Sequence, residues 1–375
     1  MRRKPGGGAR ARPGRPRRAG FLAALGLALV AAASSGYRGP SGVPPVELAA
    51  PEHPDAKESW GRHYRALAAL GEGFVAWESK RTGRWRIWMR PLDGGPERQL
   101  SPEEPGRDHV AVHISPDGRH AVYLSLPAPH ESFDRLPNDA VAPLHLLRLG
   151  DDGSVSDRVL APNARPYRQS RAAVWVNARQ LIYIAGDATT RQIDIATGEE
   201  EPLLPRPRGP FGMLVNATRT HASNDQPTFS VYQAADRSVA RRKTLGGCQP
   251  YFTIDGELGY WVADGGGPVR KIDLRDRTSS LVIERNSKFL PKGRGYLYFP
   301  MASADRRLLA FAASRNERGH FSADYEIFVA PLDPEAFAVR GAAVRYSFAP
   351  GPDRFPDVFV AGSERGRHRA EVRVD

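Results

Sequence analysis

Ten histidines and a single cysteine are the first residues to ask about chemistry in this 375-residue chain. The most closely spaced histidines are His109 and His113, in the stretch HVAVH. A zinc ion shared by two imidazoles sits about 2 Å from each ligating nitrogen. On an extended strand the two residues share a face, but four residues at about 3.3 Å each separate them by about 13 Å. The pair is therefore read as lining a strand, and no metal is expected there. Cys248, in GGCQPYF, opens an apolar run and has no second cysteine to pair with, so a buried inert thiol is expected rather than a nucleophile. No Gly-x-Ser-x-Gly nucleophile elbow is present. The glycines of DGGGP (264–268) lack the strand-to-helix context of a phosphate cradle, and Asn216-Ala217-Thr218 is a glycosylation sequon that falls in a turn. Trp85 and Trp88 read as packing residues rather than a sugar platform.

Three stretches are better binding candidates. FLPKGRGYLYFP (289–300) alternates Lys292, Arg294, Tyr296 and Tyr298 around glycines, HFSADYE (320–326) offers His320 and Asp324, and GPDRFPD (351–357) offers Asp353 and Arg354. Each is read as a polar loop next to an apolar strand.

The elements that must position these groups are visible in HISPDGRHAVYLS (113–125). Val112 and Ile114, then Ala121 and Tyr123, fall two apart, the period of a strand face. Pro116 presets a turn φ, Asp117 bonds its own backbone, and Gly118 tolerates positive φ, so the segment is a tight hairpin. One hairpin cannot bury its apolar face alone, and the unit recurs. Copies are read at 66–95, 172–200, 212–237, 248–274 and 296–333. Each runs strand, turn, strand, loop, third strand, then a turn such as PLDGG and a short fourth run such as ERQLS. Four-stranded meanders spaced roughly 40–60 residues apart fit the blades of a propeller. The expected fold is an all-β, six-bladed β-propeller, with Phe355–Val360 closing the ring or opening a seventh blade. Residues 126–142 are an insertion between the second and third strands of the second unit.

IWMRPLDGGPERQL followed by HISPDGRHAVYLS resembles the repeat of TolB-type β-propellers over about residues 60–350. The resemblance implies a scaffold that contacts partner proteins of the cell envelope. Residues 34–60 are too short and Pro-rich for the separate N-terminal domain that accompanies the family's propeller. Similar propellers accompany prolyl-oligopeptidase-like hydrolases, which need an elbow and some two hundred further residues. Others belong to oligogalacturonate lyases, where histidines from several blades hold a metal. For such a lyase the candidates here are His113, His130, His145, His221 and His320, with Arg168, Arg294 or Arg354 to neutralise a uronate carboxylate.

The formal net charge of +12 is unevenly placed. Eight Lys and Arg fall in residues 1–33 without one acid, which leaves +4 for the rest. A mildly basic body of interspersed signs is no footprint for a duplex, so no nucleic-acid partner is expected. The basic segment precedes FLAALGLALVAAA (21–33), too short to span a bilayer comfortably, with Ala31 and Ala33 as small residues for a signal peptidase. Arg17-Arg18 before Phe21-Leu22 resembles a twin-arginine signal with its spacing off by one residue.

The expectation is an export signal over 1–33 cleaved near Ala33, a Pro-rich linker over 34–60, a propeller over 61–360 and a tail over 361–375. The protein is read as periplasmic or secreted, touching membrane only through its signal. It would bind an envelope or extracellular protein or a glycan, without cofactor, through His113, Arg168, Lys292, Arg294, Tyr296, Tyr298, His320, Asp324, Asp353 and Arg354. A metal-assisted polysaccharide lyase is the alternative.

Overall fold

The structure, a computed structural model, describes residues 60–132, 136–137, 139–166, 171–207, 212–224, 226–315 and 323–362. The expected export signal, most of the linker and most of the tail lie outside these residues. A short helix, α1 (Gly61–Ala68), precedes 25 strands. Among the described residues no helix is long and apolar enough to cross a membrane.

Among the described residues the strands form six antiparallel sheets, five of four strands and one of five, each a blade. Blade 1 holds β1 (Gly73–Ser79), β2 (Arg86–Pro91) and β3 (Arg98–Gln99). Blade 2 holds β4 (Arg107–Ile114), β5 (His120–Pro127), β6 (Ala142–Leu149) and β7 (Val155–Ala164). Blade 3 holds β8 (Ala173–Trp175), β9 (Gln180–Ile184), β10 (Thr190–Asp194) and β11 (Glu200–Leu204). Blade 4 is β12 (Leu214–Val215), β13 (His221–Ser223), β14 (Thr228–Gln233) and β15 (Ser238–Thr244). Blade 5 is β16 (Cys248–Phe252), β17 (Leu258–Val262), β18 (Val269–Asp273) and β19 (Ser279–Ile283). Blade 6 is β20 (Tyr296–Ala302), β21 (Leu308–Ser314) and β22 (Glu326–Asp333), its fourth position split between β23 (Ala338–Val339) and β24 (Val344–Arg345). The last strand, β25 (Asp353–Val360), pairs with β1 as the innermost strand of blade 1. It closes the ring at six, so no seventh blade begins there.

Sandwiched strands are buried on both faces, which is why β17 (LGYWV) and β21 (LLAFAAS) read as unbroken small and apolar runs. Outer strands need one covered face at most, and β15 (SVARRKT) accordingly carries three charged residues among its seven. The helix seats on the seam that closes the ring. The Tyr64 hydroxyl donates to the Arg345 carbonyl at 2.7 Å, and its ring meets Tyr346 edge-on at 5.2 Å.

Two faces follow from the meander. The turn face carries the hairpins between first and second strands, and the loop face carries the connections leading into each inner strand and those between second and third strands. In the hairpin of blade 2, Ser115 Oγ accepts the His120 N–H at 2.9 Å, while Asp117 accepts the Arg119 N–H at 3.1 Å. Thr253 with Asp255 and Ser303 with Asp305 repeat the arrangement in blades 5 and 6. In blade 4 Asn216 does the same work through Oδ1, which accepts the N–H groups of Thr220 and His221. The side chain of the sequon asparagine is thus buried and closes a turn.

Candidate functional site

Four inner strands share a backbone device that aims side chains into the central channel. Ala111 in β4, Gln249 in β16, Phe299 in β20 and Phe355 in β25 all adopt positive φ, between 48° and 58°. Each marks a β-bulge where the register with the neighbouring strand slips. A bulge turns the following side chains off the alternation of a regular strand. The residue two positions on, His113, Tyr251, Met301 or Asp357, lines a cavity of about 50 Å³ near the turn face, together with Val174 and Trp175.

The bulges leave backbone groups to satisfy, and buried polar side chains do so. Arg171, just before β8, donates to the carbonyls of Val112 (2.5 Å), Phe355 (2.8 Å) and Pro356. Glu78 accepts the Ala111 N–H at 2.7 Å, and Gln249 accepts the Phe299 N–H at 2.6 Å. Glu78 also holds Arg354 through two contacts of 2.8 and 2.9 Å, with the Arg354 guanidinium 3.9 Å over the Trp85 ring. At the channel centre, His113 Nδ1 lies 2.7 Å from Asp357 Oδ2. His113 Nε2 lies 2.8 Å from the Tyr251 hydroxyl, which is also 2.8 Å from the Ala173 carbonyl.

The residues expected to bind divide into three groups. Lys292 and Asp324 are exposed on the loop face. Arg294, Tyr296, Tyr298, Asp353, Arg354 and His113 are buried. Arg294 and Arg345 both grip Glu326 Oε1 at 2.6 Å. Tyr296 and Tyr298 pack against Tyr325 at centroid separations of 6.1 Å. The stretch 351–357 is an inner strand from Asp353 onward, which corrects the reading of it as a polar loop. Asp353 lies 3.7 Å from Arg81, and burial pushes its carboxyl up to about 6 against that cation. Arg168 and His320 form the third group and lie outside the described residues.

The histidines disperse. His109 and His113 look different ways because the Ala111 bulge falls between them. His109 Nε2 meets Glu104 at 2.9 Å and its ring packs on Tyr123, which in turn stacks on His145. His145 Nδ1 bonds Asp157 at 3.0 Å. The His130 N–H donates to Asp108 at 2.6 Å, and burial pulls its imidazole down to about 3. His113 and His145 lie in strands of blade 2, His130 in that blade's insertion and His221 in blade 4. Among the described residues no three His, Cys, Asp or Glu side chains are placed to hold a metal ion.

Sequence reasoning missed Glu78, Arg171, Tyr251 and Asp357, the residues that organise the channel. A usable signal was present. Three of the four bulges carry an x-Pro pair inside an apolar strand, Gln249-Pro250, Phe299-Pro300 and Phe355-Pro356. Proline is tolerated within strands mainly at edges and bulges.

No protein-family model matches the chain, and no curated protein matches it. Solved structures do. TolB from Acinetobacter baumannii superposes with a TM-score of 0.52 at 14% identity, over 80% of this chain and 71% of that one. A nidogen/laminin complex gives 0.46 at 9% identity over 78% and 99% of the two chains. An oligogalacturonate lyase in complex with manganese gives 0.39 at 11% identity over 71% and 87%. The resemblance to TolB-type propellers thus holds at the level of fold.

Proposed function

We propose that the chain is an exported propeller scaffold whose loop face binds a protein or glycan of the cell envelope or the extracellular space. One observation carries this reading: the polar groups at the channel centre are engaged with one another. His113 with Asp357 and Tyr251, Arg171 with three carbonyls, and Glu78 with Arg354 tie the channel walls of blades 1, 2, 3 and 5 to one another. Groups so tied are costly to redirect toward a substrate. Recognition then falls to the loop face, where Lys292 and Asp324 project from either side of blade 6's inner strands. The basic, apolar and small-residue order of residues 1–33 supports export.

Site-specific photocrosslinking in envelope-bearing cells tests the reading. Crosslinkers at Lys292 and Asp324 are expected to trap a discrete partner. The same groups at Arg119 and Arg275, exposed on the turn face, are expected to trap none. Equal capture from both faces would contradict the assignment, as would a purified protein whose N-terminus is still Met1.

A further inference from the structure

The hydrogen bonds at the channel centre do not close with the usual number of protons. A tyrosine hydroxyl has one proton to donate, and a neutral imidazole has one N–H and one lone pair. Tyr251 Oη has two neighbours at 2.8 Å, His113 Nε2 and the Ala173 carbonyl. On the far side of the ring, Nδ1 faces Asp357 Oδ2 at 2.7 Å, an oxygen that already accepts the Ile114 N–H at 2.7 Å. If the ring proton sits on Nδ1, Tyr251 donates to Nε2, and two lone-pair oxygens confront each other across to Ala173. If it sits on Nε2, the Nδ1 lone pair confronts a carboxylate. A second proton between Nδ1 and Asp357 Oδ2 satisfies every contact: Nε2–H donates to Tyr251 Oη, the Tyr251 hydroxyl to Ala173, and the shared proton belongs to the ring, because an imidazole is more basic than a carboxylate.

We infer that the His113–Asp357 pair holds two protons in the folded protein at neutral pH, forming a proton-loaded latch across the channel. The latch joins β25 of blade 1, β4 of blade 2 and β16 of blade 5, and through Ala173 it reaches β8 of blade 3. Blades 2 and 5 are opposite each other in a ring of six, so Tyr251 spans the axis. The charged and titratable groups around His113 are Asp357 from β25, Arg171 from the segment before β8, Tyr251 from β16 and, behind it, Tyr260 from β17, with Glu78 of β1 facing Arg171. Burial, the largest influence, and Arg171 draw the imidazole toward its neutral form and on balance lower its affinity for the second proton, while the charge and hydrogen bond of Asp357 act the other way. The Tyr251–Ala173 contact decides for the second proton, because losing that proton leaves two buried acceptors facing each other. When the pair does lose it, one of the two 2.8 Å contacts of the Tyr251 hydroxyl fails and the tie across the axis weakens.

Long-range ¹H–¹⁵N correlation of the histidine rings in the full-length protein tests this directly. At pH 7.0 both His113 nitrogens are expected at protonated shifts, with a titration midpoint at least about one pH unit above that of an ordinary imidazole, near 6.5. A ring with one bare nitrogen at pH 7.0 would overturn the inference without any variant. Tyr251→Phe removes the acceptor of Nε2–H and is expected to lower the midpoint by about one unit or more. An unchanged midpoint in a folded Tyr251→Phe protein would also overturn it. A folded state that binds the second proton more tightly than the unfolded chain is stabilised below the unfolded pKa and loses that gain as pH rises through the folded midpoint. The wild-type melting temperature should therefore fall across that midpoint, and a flat profile there would count against the latch.

Discussion

The first hairpins of blades 2 and 5 and those of blades 4 and 6 solve one problem in two ways. All four turns need a residue in the left-handed region. Blades 2 and 5 use Gly118 and Gly256, both at φ 71°, and press them against the preceding blade. A Cβ on Gly118 would lie 2.4 Å from the Phe359 ring, and one on Gly256 would lie 2.0 Å from Thr218 Oγ1. Blades 4 and 6 place Arg219 (φ 54°) and Arg306 (φ 61°) there instead, and the long side chain reaches back to the preceding blade. Arg306 pairs with Asp255 and Glu257 of blade 5, and Arg219 pairs with Glu201 of blade 3 at 2.5 Å. The glycine joint is steric and indifferent to salt. The arginine joint tolerates a strained backbone and holds by charge. Loss of the Pro-Asp-Gly signature in the weaker repeats thus marks an exchange of one inter-blade contact for another.

The two kinds of joint should fail differently. Gly256→Val adds both a forbidden φ and an overlap with Thr218 and Asn216, and is expected to cost about 3 kcal/mol or more. Chemical denaturation measures it, and a loss below about 1 kcal/mol would mean that the turn can open away from blade 4.

Charge at a joint also brings pH dependence, which the seam between blades 6 and 1 makes testable. Asp353 is fully buried there and its carboxyl is raised to about 6. The folded protein therefore binds that proton more tightly than the unfolded chain, so the associated stability is complete below about pH 4 and is lost as pH rises through 6. Asp353→Asn should stabilise by about 1–3 kcal/mol at pH 7.5 and by almost nothing at pH 4. Destabilisation at pH 7.5 would show that the Arg81 attraction outweighs the cost of burying the carboxylate.

At Arg306 the comparison becomes a pair of substitutions. Arg306→Ala keeps the strained φ and loses the ion pairs, for a cost of about 1–2 kcal/mol that shrinks in 1 M salt. Arg306→Gly loses the same pairs but relieves the backbone, and should be the milder change by about 0.5 kcal/mol. The reverse order would remove the argument that φ matters at this turn. Arg219 pairs at a more exposed site, with about a third of its side chain open, so Arg219→Ala should stay within about 0.5 kcal/mol of wild type.

The division between what the sequence discloses and what it hides follows the range of the interactions. Pro116, Asp117 and Gly118 act on their own backbone, and the strands beside them alternate, so hairpin, blade and ring were legible locally. The site was not. His113 faces the channel because Ala111 interrupts the alternation that put it on a face with His109. Arg294, Asp353 and Arg354 read as binding residues of polar loops because the partners that bury them, Glu326, Arg81 and Glu78, come from 32 to 276 residues away. Charge beside glycine in a linear stretch looks the same whether it meets water or a counter-ion brought in by another blade.

Closure of the ring by β25 underlies the channel, its latch and the distinction between two faces. Native-state hydrogen exchange of the amides in 354–360 tests it most directly. Protection equal to that of the sandwiched strand β21, set by global unfolding, is the predicted result. Exchange of those amides at the rate of an unstructured tail, while β21 stays protected, would contradict the account.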